Sequence, residues 1–182
     1  AFAVDTDGDG FSDADEAALG TDPNDPTSPL ENKLFSNDAN LNQFGYSVDI
    51  SEETLVIGAP YDNHSNIITN SGAAYVFIKN GSLWTQQQQI PASDQSSNAD
   101  FGWAVKIYRD TIVVSARRMN YQGSASEGAV YIFSRNGGVW TEEQKLIASD
   151  HDDFDYFCQS LSLFVNTIVV GAPGNDDGGS SS

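Results

Sequence analysis

The stretch that decides the fold reads Gly72-Ala73-Ala74-Tyr75-Val76-Phe77, and it returns 56 residues later as Gly128-Ala129-Val130-Tyr131-Ile132-Phe133. The next segment, Asn80-Gly81-Ser82-Leu83-Trp84-Thr85, returns at the same spacing as Asn136-Gly137-Gly138-Val139-Trp140-Thr141. A fixed spacing shared by several segments is typical of repeat architectures, in which each repeat is one supersecondary unit. The sequence therefore predicts tandem units of about 56 residues.

Each unit contains four segments that are patterned as strands. In the first unit they are Phe44–Ile50, Thr54–Ala59, Ala73–Lys79 and Leu83–Ile90. The second segment is almost fully apolar and suits burial on both faces, whereas the fourth carries the polar run Gln86–Gln89, which is typical of an outer edge. The residues Asn80-Gly81 between the last two segments predict a hairpin turn. Four antiparallel strands in this order predict a β-propeller blade and an all-β fold.

Two short motifs add a family resemblance to this pattern. The chain resembles the FG-GAP repeats of integrin α-chain-like β-propellers at Phe44-Gly45 and Gly58-Ala59-Pro60, and the second half of that motif returns at Gly171-Ala172-Pro173. The resemblance extends over about residues 31 to 179. It implies propeller blades that serve in extracellular adhesion or recognition.

The second unit departs from this motif, because it has Ser115-Ala116-Arg117-Arg118 where Gly-Ala-Pro is expected. On so acidic a chain, the adjacent Arg117 and Arg118 are candidate contacts to a partner. Ordinary drift in a loop whose charges are neutralised by nearby acids is the alternative. Some FG-GAP proteins also carry calcium loops between strands, but the loops at 61–71 and 119–127 lack that pattern. We therefore expect Asp62, Asp176 and Asp177 to be solvated loop acids.

A calcium-loop pattern precedes the repeats, from Asp5 to Glu16. Carboxylates occupy positions 1, 3, 5, 9 and 12 of the twelve-residue pattern, and Gly10 occupies position 6, where the chain must turn sharply. A set of hard oxygen ligands of this size favours Ca²⁺ over Mg²⁺. The predicted ligand residues are Asp5, Asp7, Asp9, Phe11 through its backbone carbonyl, Asp13 directly or through water, and Glu16.

The residues after the loop predict a short helix over Asp13–Leu19 that ends at Gly20. No helix pattern precedes the loop, so a complete EF-hand pair is not expected. The loop followed by Gly20-Thr21-Asp22-Pro23 resembles the thrombospondin type 3 (TSP3) repeats of bacterial surface proteins, over about residues 4 to 29. The resemblance implies a spacer that calcium makes rigid rather than a calcium sensor.

Composition excludes several classes of function. The chain has 26 acidic and 8 basic residues, a formal net charge of −18, which disfavours binding to nucleic acid. No apolar stretch approaches the roughly 20 residues of a membrane helix, so we expect no membrane insertion. The single cysteine, Cys158, lies among apolar residues and reads as a buried thiol.

We divide the chain into a calcium segment at 1–29 and an FG-GAP region at 30–182, with repeats at about 31–93, 94–149 and 150–182. The segment Glu31–Ser36 aligns with a fourth strand, because Leu34 matches Ile90 and Leu146. About two and a half blades result, which cannot close a ring. The chain is then either a fragment of a longer propeller or a subunit that exchanges strands with other chains.

The function predicted from these features is a secreted or cell-surface, calcium-binding, non-enzymatic structural or adhesion module. Its partner would be a protein or glycan at the cell surface, and open β-edges would permit self-assembly. The alternatives are a subunit of a surface filament or sheath and an accessory domain of a secreted enzyme. Acids recur in the loops between repeats but suit turn structure better than an active site; they are Asp94, Asp100, Asp150, Asp152, Asp153 and Asp155.

Overall fold

The structure is a computed structural model that describes residues 4–9, 11–26, 34–36, 43–63, 68–81, 83–120, 126–149 and 155–175. These residues form one helix, α1 (Asp13–Leu19), and ten strands. The first eight strands are β1 (Ser47–Ser51), β2 (Thr54–Ala59), β3 (Ala73–Asn80), β4 (Leu83–Ile90), β5 (Phe101–Tyr108), β6 (Thr111–Ala116), β7 (Ala129–Asn136) and β8 (Val139–Leu146). The last two are β9 (Ser160–Phe164) and β10 (Thr167–Gly171).

The strands form three antiparallel sheets, which we call blades 1, 2 and 3. Blade 1 has the order β1-β2-β3-β4, blade 2 has the order β5-β6-β7-β8, and blade 3 consists of β9 and β10. The predicted four-strand meander and the partial third blade are confirmed. The first strand begins at Ser47 rather than at Phe44, because the backbone N–H groups of Gly45 and Tyr46 both turn to the carbonyl of Gly58.

The blades stack face to face through their apolar second strands. In β6, Ile112 and Val114 pack toward blade 1, whereas Val113 packs toward blade 3. All three are fully buried, because successive strand residues point to opposite faces and each face meets a neighbouring blade. Burial of one such side chain contributes roughly 1.5–3 kcal/mol. The prediction that the second strand is buried on both faces is confirmed for blade 2.

Glycines permit the backbones of adjacent blades to approach closely. Gly72, with φ +82°, forms a parallel bridge with Phe101 of the next blade, and a Cβ atom there would overlap the Phe101 backbone. At Gly128, with φ +89°, a Cβ atom would likewise overlap the backbone of Phe157, which lies just before blade 3. The recurring glycine therefore marks each junction between blades rather than a turn within one blade.

The polar fourth strand also connects blades. β4 and β8 are the outer strands of their sheets, as predicted. However, the Gln88 side chain donates to the Trp140 carbonyl at 2.9 Å and accepts from the Trp140 backbone N–H at 2.9 Å. Gln87 donates to the Gly138 carbonyl at 3.0 Å. These amides bind the backbone of the neighbouring hairpin, so the glutamine run is not merely a solvated edge.

The departure of blade 2 from the Gly-Ala-Pro motif has a packing explanation. In blade 1, Ser47 lies opposite Gly58, and in blade 3 Ser160 lies against Gly171. In blade 2 the serine is on the other strand, where the Ser115 hydroxyl accepts the Ala104 N–H at 2.9 Å. The first two strands of each blade therefore hold one serine opposite a small residue. That serine is on the first strand in blades 1 and 3 and on the second strand in blade 2.

The segment predicted to be a lone fourth strand is described only at residues 34–36, which form no strand. Leu34 nevertheless packs on the face of blade 1 that lies away from blade 2. Ile90 packs in the same way between blades 1 and 2, and Leu146 packs between blades 2 and 3. The predicted alignment of these three residues is thus confirmed by their packing, although strand pairing of residues 31–33 lies outside the described residues.

Candidate metal centre

Three aspartates gather at the start of the chain. Asp5, Asp7 and Asp9 each place a carboxylate oxygen within 4.8 Å of the other two. Hydrogen bonds between residues near in sequence hold the loop in a tight turn. Asp5 accepts the Gly8 N–H at 2.8 Å, and Asp9 accepts the Phe11 N–H at 2.9 Å. Among the described residues, this is the one group of three or more potential metal-binding side chains that lie so close together.

Helix α1 presents a fourth carboxylate, that of Glu16. The helix begins after Ser12, whose hydroxyl oxygen accepts the Asp15 N–H at 3.2 Å as an N-cap. It ends at Gly20, which adopts φ +78° and donates its N–H to the Glu16 carbonyl. The predicted helix and its stop are therefore confirmed, and Glu16 is the one buried residue of the helix.

The Glu16 carboxylate has no exposed surface, and neither of its oxygens has a hydrogen-bond partner among the described residues. Burial raises the pKa of Glu16, and the charges of Asp7, Asp9, Asp13 and Asp5 raise it further. The Oδ2 atom of Asp7 is likewise buried and has no hydrogen-bond partner among the described residues. A buried carboxylate beside other carboxylates is strongly destabilising unless a cation or a proton neutralises it. The arrangement therefore fits a bound cation.

The structure places the remaining predicted ligands around this group. The Phe11 N–H binds Asp9, and the Phe11 side chain is half-buried. Both oxygens of Asp13 accept hydrogen bonds from Thr6, from its N–H at 2.8 Å and from its hydroxyl at 2.7 Å. Asp13 thus ties the helix start to the loop, and its role as a direct or water-mediated ligand stays a prediction. Gly10 lies outside the described residues.

The predicted arginine pair forms a cluster at the junction of blades 1 and 2. Arg117 and Arg118 both face the Oδ2 atom of buried Asp100, with Nε distances of 2.9 and 3.5 Å. The guanidinium carbon of Arg117 lies 3.1 Å from the centroid of the Trp103 ring, and Tyr46 packs on Trp103 with 4.4 Å between centroids. The two aromatic residues were not predicted. Tyr46 follows Gly45 and Trp103 follows Gly102, so an aromatic residue occupies the same repeat position twice, and this recurrence could have identified them.

The acids of the loops between repeats have separate partners. Asp94 accepts hydrogen bonds from Tyr131 at 2.7 Å and from Lys145 at 2.6 Å, whereas Asp100 binds the arginines. Asp62, expected to be a solvated acid, is instead buried and accepts a hydrogen bond from the Tyr75 hydroxyl. The acids outside the described residues are Asp150, Asp152, Asp153, Asp176 and Asp177.

Cys158 occupies the position that glycine holds in the first two blades. It is fully buried, adopts φ +70°, and places its thiol 3.1 Å from the Ala129 carbonyl. Burial raises the pKa of Cys158 to about 12. The expectation of a buried thiol is confirmed, and thiolate chemistry is suppressed near neutral pH.

Comparison with known families agrees with the fold and with the loop. The FG-GAP repeat family matches residues 30–77, 84–133 and 140–182, and the bacterial TSP3 repeat matches residues 5–26. No curated protein matches the chain. In the part of the chain that the structure describes, no helix has the length and apolar character needed to cross a membrane.

These two families bear on function at a coarse level. TSP3 repeats bind calcium, FG-GAP repeats are generally non-enzymatic structural modules, and both are typically extracellular. Together they are typical of adhesion-type or calcium-binding modules. The three matched segments cover most of the sequence, and the second and third each begin within the fourth strand of one blade and continue through the first strands of the next. The chain therefore belongs to the FG-GAP repeat family and carries a bacterial TSP3 repeat ahead of its blades.

Proposed function

We propose that the chain is a secreted or cell-surface, non-enzymatic structural or adhesion module whose N-terminal segment is made rigid by one Ca²⁺ ion. Asp5, Asp7, Asp9 and Glu16 would hold the ion, with the Phe11 carbonyl and Asp13 completing the set. The ion supplies positive charge at the centre of a carboxylate cluster and ties the loop to helix α1.

The observation that carries this proposal is the buried Glu16 carboxylate, which lacks hydrogen bonds among the described residues. It belongs to helix α1, whereas the three clustered aspartates belong to the loop. A cation bound to both would therefore join two elements that otherwise repel each other. An oxygen-only donor set suits Ca²⁺, and extracellular modules function with dissociation constants of about 10⁻⁴–10⁻³ M.

The substitution Glu16→Gln separates a metal role from a packing role. Glutamine keeps the shape but removes the buried charge. We expect calcium affinity, measured by isothermal titration calorimetry, to fall by at least about tenfold, or 1.4 kcal/mol. Without calcium, residues 1–29 of the variant should resist limited proteolysis better than those of the parent chain, because the repulsion from Asp7 and Asp9 is relieved.

The matched control is Glu52→Gln, which changes an exposed glutamate next to Arg109. It should leave both the calcium affinity and the proteolysis pattern unchanged. The proposal fails if the parent chain binds no calcium at millimolar concentration, or if chelator leaves the cleavage of residues 1–29 unaltered.

We also propose that Arg117 and Arg118 belong to a surface that contacts a protein or glycan partner. The support is that two guanidinium groups share one carboxylate, that of Asp100, while Arg118 keeps 46% of its side chain exposed. Tyrosine, tryptophan and arginine together are typical of the energetically important residues of interfaces. Binding to glycan and protein arrays should weaken with Arg118→Glu but not with Arg109→Glu, and equal weakening by both variants would contradict a specific role for Arg118.

A further inference from the structure

At the junction of blades 1 and 2, positive charge exceeds negative charge. Other basic residues of the described chain each contact a carboxylate of their own, in the pairs Lys106–Asp49, Arg109–Glu52, Arg135–Asp110 and Lys145–Asp94. Arg117 and Arg118 instead share the carboxylate of Asp100, which is their one ion-pair partner among the described residues. The cluster therefore keeps an unbalanced positive charge and attracts an anion, although the whole chain has a net charge of −18.

The cluster is held in place by its own contacts. Asp100 is 1% exposed, and its carbonyl accepts the Trp103 N–H at 3.2 Å, so the carboxylate and the indole ring belong to one turn. Arg117 contacts both groups, at 2.9 Å from the carboxylate and 3.1 Å from the ring centroid. The backbone N–H of Arg118 donates to the Ala99 carbonyl at 3.2 Å. Because these groups are already ordered, a ligand that binds here loses little free energy to ordering the site.

Two groups of the cluster are open to solvent. Arg118 keeps 46% of its side chain exposed, and Tyr46 is 44% exposed while its ring packs on Trp103. A guanidinium group binds a carboxylate through two parallel hydrogen bonds. An exposed aromatic ring offers a flat apolar surface to C–H groups. A ligand that uses both groups therefore carries a carboxylate near an apolar patch.

The charge of the chain limits the ligand further. At physiological salt, charges are screened beyond about 8 Å, so a single carboxylate bound at the cluster interacts mainly with the arginines and Asp100. A polyanion such as heparin extends well past this distance and would meet the acidic surface of a chain whose net charge is −18. We propose that the site binds a glycan in which one acidic sugar, a sialic or uronic acid, is attached to neutral sugars.

A glycan of this kind uses both exposed groups, whereas an acidic peptide uses one. A sugar ring has C–H groups on its face, so a short glycan places its carboxylate on Arg118 and a ring face on Tyr46. The carboxylate of an aspartate or glutamate side chain would bind the arginines without needing the tyrosine. The inference rests on the proposed partner surface at Arg117 and Arg118, and it names the class of that partner.

Two pairs of probes test the need for a carboxylate, sialyllactose against lactose and cellobiouronic acid against cellobiose. In NMR titrations of the isotope-labelled full chain, the indole N–H signal of Trp103 should move with at least one acidic probe, with a Kd of about 1 mM, and with neither neutral sugar. The acidic probe that binds distinguishes a sialic acid from a uronic acid. Arg118→Gln should weaken this binding at least about tenfold.

The matched control is Arg109→Gln. Arg109 also lies over a tyrosine, 5.5 Å from the centroid of Tyr108, but it pairs one to one with Glu52. Because its charge is balanced, this substitution should leave the binding of the acidic probe unchanged. Equal weakening by Arg109→Gln and Arg118→Gln would overturn the inference.

Tyr46→Leu separates a glycan from an acidic peptide. It should weaken the binding of the acidic sugar and leave that of a blocked glutamate peptide, which is weaker in the parent chain, unchanged. Unshifted indole signals of Trp84 and Trp140 show that each variant is folded. The inference is overturned if neither acidic sugar binds at about 10 mM, if the neutral sugars bind equally, or if Arg118→Gln or Tyr46→Leu has no effect.

Binding of the peptide as tightly as the sugar would also overturn the inference and assign the site to a protein ligand. In every one of these cases, loss of a protein partner from the arrays in Arg118→Glu would leave the proposed partner surface standing. Failure of the glycan assignment is therefore distinguishable from failure of the proposed function.

Discussion

Substitution of one junction glycine should separate blade 3 from blade 2 more than it disturbs any single blade. In Gly128→Ala, the new methyl group would lie closer to the Phe157 carbonyl oxygen than the 3.0 Å that real Cβ atoms respect. The Phe157 N–H also donates to the Glu127 carbonyl at 2.9 Å, so Phe157 cannot withdraw without stretching that hydrogen bond.

The expected cost has two parts. The positive φ of +89° at Gly128 is unfavourable for alanine by about 1–2 kcal/mol. Overpacking against a fixed backbone adds about 1–3 kcal/mol. We therefore expect Gly128→Ala to lower the free energy of unfolding by about 2–5 kcal/mol. Gly137 supplies the matched control, because it has φ +59° but no atom of the described part of the chain within 4 Å of a new Cβ. Gly137→Ala should cost only the first part, about 1–2 kcal/mol.

Urea denaturation measures both variants, with the free energy of unfolding extrapolated to water. Hydrogen exchange then locates the effect, and residues 155–175 should lose protection in Gly128→Ala but not in Gly137→Ala. Equal destabilisation by the two substitutions would show that the close approach of Gly128 to Phe157 does not limit stability. The assignment of the recurring glycine to the blade junction would then be wrong.

Two further predictions follow from the ionisable groups. Burial alone would raise the pKa of Asp94, but hydrogen bonds from Lys145 and Tyr131 outweigh it and hold the pKa below the ordinary value of 3.8. The ionised Asp94 should therefore add stability above that pH, and this contribution should disappear as the pH falls through the lowered pKa. In Asp94→Asn, the free energy of unfolding from urea denaturation should therefore fall less steeply as the pH is lowered. The difference from the parent chain should be below about 1 kcal/mol, because the side chain is half exposed. The same pH dependence in both chains would contradict the ion pair. Cys158 should not react with iodoacetamide at about pH 8 in the folded chain and should react on unfolding, because its buried thiol has a pKa of about 12. Rapid modification without unfolding would contradict the packing of blade 3 on blade 2.

Repetition made most of the fold predictable. Strands β2 and β4 have the predicted bounds, because Thr54–Ala59 and Leu83–Ile90 are patterned throughout and end at turns or loops. The start of β1 was predicted three residues early, since Phe44 looks like a strand residue by side chain alone. It instead turns and packs edge to face on Tyr75, at 5.3 Å between ring centroids. A hydrophobic pattern records burial but not whether the backbone of a buried residue is extended.

The metal loop was predictable for a different reason. Its ligand positions are local in sequence, so spacing alone places Asp5, Asp7 and Asp9 together. The hydrogen bonds of Asp13 to Thr6 were not foreseen, because they depend on how the helix start folds against the loop. The contact of Arg117 with Trp103 was also missed, since it requires a loop and a strand separated by several residues to meet.

The blade junctions have a consequence for how such chains change over generations. At Gly72 and Gly128 the neighbouring blade is met as main chain, through Phe101 and Phe157, so this one contact does not depend on the identity of the neighbour's side chain. In blade 2 the serine is on the second strand, and the small residue that it needs opposite it is Ala104 on the first strand of the same blade. The glycine contact itself therefore tolerates change in the side chains of the neighbouring blade, whereas the apolar contacts that β6 makes with both neighbours have to change together with them.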